Sequence, residues 1–299
     1  MDSVNGLAIA VVDPFTTGAH VARYVNQAGY KCVRMLSILN SPVAHLVQEG
    51  IEVTYDATIQ HNDQMEDQDA SYHSTIESLR KLPWEVVAVI PGAETGVELA
   101  DILSDRMALT SNGEALTLAR RNKYIMGETV REANVRAVKQ RLCSSLDEVE
   151  EFLGDFSTDP FSAVVKPVAS AGSDSVYLCD SKEEATQAFS KIHGTYNGLG
   201  ILNSSVLVQE FLVGQEFVVD HVSKNGEHKL VGIWEYDKRP VNNSPFVYHG
   251  MRLREPQEID GGEEMVTYAR SVLDALQIVH GPSHMEVMLT PTGPCLVEV

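Results

Sequence analysis

The chain closes on two short apolar strands that each carry one glutamate, and this pattern restricts its fold more than any other. Met285-Glu286-Val287-Met288-Leu289-Thr290 runs through Pro291-Thr292-Gly293-Pro294 into Cys295-Leu296-Val297-Glu298-Val299. Pro and Gly punctuate the middle, so the segment reads as a β-hairpin. Successive strand side chains face opposite ways. Glu286, Met288 and Thr290 therefore share one face, Val287 and Leu289 the other, and Leu296 shares a face with Glu298. Two carboxylates on paired strands make a hard oxygen site suited to Mg²⁺ that also holds a nucleotide phosphate. For a single glutamate, a solvated strand face is the plain alternative. The apolar flanks are unlike those of a hairpin at a sheet edge, and they favour a functional pair.

The first 110 residues alternate strand and helix. Leu7 to Val12 is a buried-strand run, Asp13-Pro14-Phe15-Thr16-Thr17-Gly18 turns into a helix over 19–28, and Gly29 stops it. Strands follow over 31–36 and 85–90. Pro91-Gly92-Ala93-Glu94-Thr95-Gly96 then leads into a helix through Leu103. Repeated strand, turn and helix is a doubly wound α/β layout. The acidic stretch 62–69 reads as surface loop or the start of a helix. A second region begins near Gly113, with a helix over 122–133, an amphipathic stretch on Leu146, Val149, Phe152 and Leu153, and strands over 163–166 and 175–179. A third begins near Val206, with strands over 206–211, 216–223 and 229–235. It continues with a helix whose Val266, Ala269, Leu273 and Leu276 form a core stripe, and it ends on the hairpin. The expected divisions are 1–112, 113–205 and 206–299.

Charge narrows the function. The formal net charge of −19 disfavours nucleic acid and anionic membrane surfaces, and a phosphate site must concentrate its few cations locally. Cys32, Cys143, Cys179 and Cys295 lack CxxC spacing, so they read as reduced core thiols of a cytoplasmic protein. No stretch approaches a membrane span.

Three segments add chemistry. Lys166 ends a buried strand and precedes Pro167-Val168-Ala169-Ser170-Ala171-Gly172-Ser173-Asp174-Ser175. Small side chains let backbone N–H groups close on phosphate, and the lysine adds a point charge. There is no Gly-Lys-Ser/Thr, so this is not a Walker A loop, and a flexible hairpin with a surface lysine is the alternative. Glu210-Phe211-Leu212-Val213-Gly214-Gln215-Glu216 joins two strands through a Gly turn whose main chain can meet an adenine edge, with a carboxylate for ribose hydroxyls. An ordinary β-turn is the alternative. Lys123 lies in the cationic run Arg120-Arg121-Asn122-Lys123, which reads as a phosphate contact or a solvated helix start.

Taken in order, a lysine on a helix, a lysine strand with a small-residue loop, a Glu-x₃-Gly-x-Glu turn and a two-glutamate hairpin resemble the ATP-grasp superfamily over about 122–299. Residues 86–112 resemble the domain that precedes it in ATP-grasp carboxylate–amine ligases, among them bacterial L-amino acid ligases and the ligase part of carnosine synthase. The resemblance implies an α/β fold: a Rossmann-like N-terminal domain, then a two-lobed α+β ATP-grasp unit, incomplete at its C-terminus. It implies ATP and Mg²⁺, with Mn²⁺ as a substitute, and a small-molecule carboxylate and amine, amino acids first among them. Lys123 and Lys166 would hold phosphates under the loop bearing Ser170, Gly172 and Ser173. Glu210, Phe211 and Leu212 would meet adenine, Glu216 the ribose, and Glu286 and Glu298 the metal. His249 and Arg252 fall where such ligases contact substrate or phosphate, with Lys166 among the catalytic groups.

Two departures from the family pattern stand out. The small-residue loop has one glycine, Gly172, and no Asn-x-Arg stretch follows Glu298. The expectation is therefore a fragment or truncated product with impaired catalysis. An ATP-grasp carboxylase using bicarbonate and a non-catalytic ATP-binding module remain as alternatives. A nicotinamide oxidoreductase is disfavoured because no GxGxxG follows the first strand. Homodimers are common among ligases of this kind.

Overall fold

The computed structural model describes residues 4, 6–39, 51–154, 156, 161–168, 170, 174–198, 200–241 and 244–299. They form two compact units, Met1–Arg121 and Asn122–Val299.

In the first unit the buried apolar runs make a four-stranded parallel sheet of order β3-β2-β1-β4. Its strands are β1 (Leu7–Val12), β2 (Lys31–Leu36), β3 (Ala57–Gln60) and β4 (Glu85–Pro91), and its helices α1 (Gly18–Gln27), α2 (Gln68–Arg80) and α3 (Val97–Arg106). Alternate strand residues feed two cores. Ala8, Ala10, Val12, Val33 and Met35 pack with Ile76 and Leu79 of α2 and Leu99 and Leu103 of α3. Val11 and Cys32 pack with Ala22 and Val25 of α1. Helices on both faces make this a doubly wound, Rossmann-like sheet. Gly29, at φ 85°, turns the chain out of α1. The acidic stretch at 62–69 holds the start of α2, where the Asp67 side chain accepts from the Ala70 N–H at 3.0 Å. Residues 113–121, read from sequence with the following region, belong to this unit. The Arg120 guanidinium and the Thr117 hydroxyl both donate to the buried Asp101 carboxylate, at 2.8 and 3.0 Å.

The second unit holds both further regions. It opens with α4 (Lys123–Glu132), whose cap is Asn122: that side chain accepts from the Tyr124 and Ile125 N–H groups. β5 (Gln140–Cys143), α5 (Leu146–Gly154), β6 (Ala163–Pro167), β7 (Tyr177–Cys179), α6 (Lys182–Ile192) and β8 (Val206–Glu210) follow. Their sheet is antiparallel, in the order β5-β8-β6-β7. Val149, Phe152 and Leu153 of α5 and Ala185, Phe189 and Ile192 of α6 bury one of its faces. β9 (Gln215–Lys224), β10 (Glu227–Val241), β11 (Ser244–Arg254), α7 (Gly262–Ala275), β12 (Gly281–Thr290) and β13 (Gly293–Glu298) complete the unit. The second sheet runs β11-β10-β9-β12-β13 and is antiparallel. The predicted stripe of Val266, Ala269, Leu273 and Leu276 is buried.

One expectation is corrected here. The apolar hairpin does stand at a sheet edge, because β13 is the last strand of its sheet among the described residues. It is apolar because other elements cover it: the Tyr268 hydroxyl of α7 accepts from the Leu296 N–H at 2.7 Å and donates to the Arg136 carbonyl at 2.7 Å. No helix among the described residues is long and apolar enough to cross a membrane.

Candidate active site

Within the second unit, the two sheets enclose a cavity of about 200 Å³. Its lining combines apolar Val138, Phe211, Leu212, Met288 and Leu296 with the charged Lys123, Lys166, Lys238, Glu216, Glu286 and Glu298.

The hairpin supplies the paired carboxylates. Glu286 lies directly opposite Glu298, and a bulge at Val297 shifts the register beyond them. Burial drives the Glu286 carboxyl up to about 7; Lys238 opposes this, while Glu298 and Glu216 add to it. Burial pushes Glu298 the same way, but Lys123, Lys166 and Lys238 outweigh it and hold this carboxyl below its ordinary value. Lys123, in the first turn of α4, is ion-paired to Glu298 and donates to the Ser170 carbonyl at 3.2 Å.

Lys166 is set by β6, where register with β8 places it opposite Leu207. Its side chain is buried, and burial, then the neighbouring Lys123, brings the ammonium down to about 8 despite Glu298, Glu286 and Glu216. Among the described residues it forms no ion pair within 4.0 Å. It is thus a buried cation without a direct counter-ion.

Glu216 and Glu286 share Lys238, at 2.5 and 3.9 Å. The Lys238 ammonium also lies 5.0 and 4.5 Å from the ring centres of Tyr236 and Tyr248. The Tyr248 hydroxyl stands 3.4 Å from Glu286 Oε1. Although burial opposes it, the surrounding carboxylates raise the Lys238 ammonium above its ordinary value. The sequence reading ended its strand at Glu235 and left Lys238 out, whereas β10 runs on to Val241. The alternation Trp234, Tyr236, Lys238 was the available signal.

The turn after β8 is fixed by close packing. A Cβ on Gly214 would overlap the Leu289 carbonyl of β12, so only glycine lets the Phe211–Leu212 segment lie this near Met288. Glu210 is pinned to main chain, its carboxylate accepting from the Lys139 N–H at 2.8 Å. Ser170 is buried and donates to Asp174 at 2.8 Å, which also accepts from the Gly198 N–H at 2.7 Å. Asp174 thereby organises the start and end of the small-residue loop. Gly172 and Ser173 lie outside the described residues.

Similarity to known proteins agrees with this geometry. The ATP-grasp domain family matches residues 159–299. Dapdiamide A synthase of Enterobacter agglomerans is 33% identical over 297 residues, 99% of this chain and 67% of that protein. The chain belongs to the ATP-grasp ligase family. The L-arginine-specific L-amino acid ligase of Bacillus subtilis is 22% identical over 212 residues, 70% of this chain and 49% of that protein. Among solved structures, L-amino acid ligase from Bacillus licheniformis has the same fold, with a TM-score of 0.70, 16% identity, and coverage of 97% of this chain and 66% of that one. The chain therefore spans from about half to two thirds of the length of these relatives.

Of the residues expected from the ATP-grasp resemblance, Lys123, Lys166, Ser170, Glu210, Phe211, Leu212, Glu216, Glu286 and Glu298 all line the one cavity. His249 and Arg252 do not join them. His249 is the extra residue of a bulge between the Asp237–Gly250 and Lys238–Tyr248 pairs, and it is exposed. Arg252 pairs with Glu235, which pairs with Phe217, which pairs with Val287. That row points away from the Glu286 face. Arg252 lines a neighbouring depression that shares Phe211, Leu212, Glu216, Lys238 and Met288 with the main cavity.

The donor set suits Mg²⁺. Among the described residues no group of three or more metal-ligating side chains occurs. Mg²⁺ needs fewer, since one or two carboxylates with phosphates and water complete its octahedron. Glu286 and Glu298, directly opposite each other on β12 and β13, offer such a pair.

Proposed function

We propose that the protein is an ATP- and Mg²⁺-dependent carboxylate–amine ligase that forms an amide or peptide bond and releases ADP. The observation that carries this reading is the meeting of three lysines and three glutamates with apolar walls in one cavity. Adenine would fit against the apolar lining of Phe211, Leu212 and Met288. Glu216 is placed for the ribose, and the Glu210 main chain for the base edge. Lys123 and Lys166 meet the phosphates, and the loop that starts at Ser170 covers them. Glu286 and Glu298 would hold Mg²⁺, which neutralises charge on the phosphate oxygens.

A carboxylate oxygen attacks the terminal phosphorus, the bond to the bridging oxygen breaks, and ADP leaves. Lys166 and Lys123 hold that phosphate in line and offset charge on its equatorial oxygens. An amine then attacks the acyl carbon of the acyl phosphate, inorganic phosphate departs, and the amine loses a proton. The name of the B. subtilis relative directs the first screens to amino acids as carboxylate and amine.

The test supplies MgATP, hydroxylamine and each of the common L-amino acids. ADP together with an amino acid hydroxamate is the expected product of a trapped acyl phosphate. ATP binding with no hydroxamate from any acid would refute the ligase reading, and ADP release driven by bicarbonate alone would indicate a carboxylase. Glu298→Gln should raise the Mg²⁺ concentration for half activity severalfold, whereas an unchanged Mg²⁺ titration would remove Glu298 from the metal site.

A further inference from the structure

The helix that presents Lys123 is held to the neighbouring sheet by one carboxamide. Gln140 of β5 lies directly opposite Gln209 of β8. Val206 and Val208 of β8 pack into the core under α5 and α6, so Gln209 faces the other way, into the cavity. Both glutamines are buried. Gln209 Nε2 donates to Gln140 Oε1 at 2.7 Å. Gln140 Nε2 donates to the Tyr124 carbonyl at 2.8 Å and to Glu128 Oε1 at 3.0 Å. The neighbours orient this amide: the Tyr124 carbonyl only accepts, so the nitrogen of Gln140 must face α4. Both amide hydrogens and the oxygen are thereby used, as a buried amide requires.

The contact reaches Lys123 through main chain. Tyr124 follows Lys123 in the first turn of α4; its N–H goes to the Asn122 side chain at 3.0 Å, and its carbonyl to Gln140. Anchoring both groups fixes where the lysine stem starts. One turn on, a Cβ at Gly127 would overlap the Gln140 amide, so the helix lies close against it. The Arg131 guanidinium donates to the Val138 carbonyl at 2.6 Å and holds the same helix to the segment entering β5. At the other end of the pair, Gln209 precedes Glu210, whose N–H donates to the Lys139 carbonyl at 2.9 Å. One side chain therefore joins the strand end that leads to Phe211 and Leu212 with the helix start that carries Lys123. Two apolar side chains of the same shape would fill this space at little cost in stability, so packing alone does not call for the pair.

We infer that Gln140 is a positioning residue, which acts through the Tyr124 main chain to aim the Lys123 ammonium at the nucleotide phosphates. This rests on the proposed function, in which Lys123 meets phosphate. Gln140 is not part of the cavity wall, so its whole effect on the nucleotide passes through the helix it holds.

The experiment is a double-mutant cycle on the full chain. Wild type, Gln140→Met, Lys123→Met and the double variant are titrated by calorimetry with adenosine and with the Mg²⁺ complex of the β,γ-methylene analogue of ATP. Lys123→Met should weaken the analogue roughly tenfold or more, the loss of a hydrogen bond to a charged group. Gln140→Met should weaken it about threefold or more, short of the whole lysine contribution, and leave adenosine unmoved. In the Lys123→Met background it should cost nothing further, because both changes remove the same interaction. Gly127→Ala reaches the contact from the helix side and keeps the test alive if Gln140→Met does not fold. Its Cβ displaces the amide, whereas helix propensity alone favours alanine, and the same loss confined to the analogue is expected. Wild-type analogue affinity in both variants, or losses that add in full to that of Lys123→Met, overturn the inference. Wild-type analogue affinity in Lys123→Met itself refutes the phosphate contact, and the positioning role falls with it.

Discussion

Lys166→Met should make the apoprotein more stable while abolishing its response to ATP. Met fills the volume of the lysine stem with no charge to desolvate. In the folded chain the Lys166 ammonium falls from 10.5 to about 8, because of burial first and Lys123 second. A shift of 2.5 units at 1.36 kcal/mol each corresponds to about 3 kcal/mol against the charged form in the fold. For a unit of this size each kcal/mol moves Tm by about 2–4 °C, so the variant should melt about 6–12 °C above the wild type. The sign is fixed by linkage. Below pH 8 the lysine is protonated in both folded and unfolded chains, and the wild type bears the whole penalty. Between about pH 8 and 10.5 the folded chain releases its proton first, and the gap narrows. Above 10.5 the lysine is neutral in both states and the gap closes.

Paired thermal melts of wild type and Lys166→Met from pH 7 to 10.5, with and without MgATP, read this directly. MgATP should raise the wild-type Tm by mass action and leave the variant unmoved. Equal melting temperatures at pH 7, or a gap that stays constant through pH 10.5, would refute the argument that this lysine is held in the fold at a stability cost.

Other consequences follow from groups away from the cavity. His221 of β9 is buried, and among the described residues neither ring nitrogen has a hydrogen-bond partner of ordinary geometry. Burial, then Arg270, brings it down to about 4, so the native state loses up to about 3 kcal/mol as pH falls from 6.5 to 4. His221→Leu should flatten the pH slope of urea stability in that window, and parallel slopes would show that this histidine does not titrate as argued. In the first unit, a Cβ on Gly18 would overlap the Gly92 carbonyl. Gly18→Ala should therefore cost about 1–3 kcal/mol in denaturant unfolding, and a neutral result would mean that the two loops can separate.

Much of this was legible because the chemistry sits at strand ends and turns. Lys166, Glu286 and Glu298 stand out as charges in apolar strands, a local contradiction that sequence alone displays. What escaped was whatever depends on partners distant in sequence. Asp220 and His284 are 64 residues apart and look like ordinary polar strand residues until register pairs them. β5 was missed because Gln140-Arg141-Leu142-Cys143 has no clear alternation. α6 was missed as well, although Ala185, Ala188, Phe189 and Ile192 keep helical spacing and are all buried. The edge position of β13 was misjudged because the cover from Tyr268 and α7 comes from a helix, and local pattern cannot show which helix lies over which strand.

The charge pattern of the cavity bears on why so costly an arrangement persists. Burying an ion costs several kcal/mol even after relaxation, and replacing a buried pair by apolar side chains is often neutral or stabilising. This chain nonetheless places Lys123 against Glu298 and Lys238 between Glu216 and Glu286 in one small cleft. The covered α7 face of the same sheet shows that the sequence can build apolar packing there, with Met285 and Val287 alternating with Glu286 on β12. Stability does not account for the charged face, but an incoming polyanion does. On the proposed ligase reading, Lys166, which has no counter-ion within 4.0 Å among the described residues, meets phosphate directly, while Lys123 gives up Glu298 to reach one. That exchange frees the Glu298 carboxylate beside Glu286 at the moment a divalent cation can use both. On this argument Lys123→Met should weaken ATP binding and also lower the Mg²⁺ concentration needed, because Glu298 is then free from the start. Isothermal titration of Mg²⁺ in the presence of the β,γ-methylene ATP analogue measures the second effect, and a raised Mg²⁺ requirement would show that the lysine supports the carboxylate pair instead of competing for it.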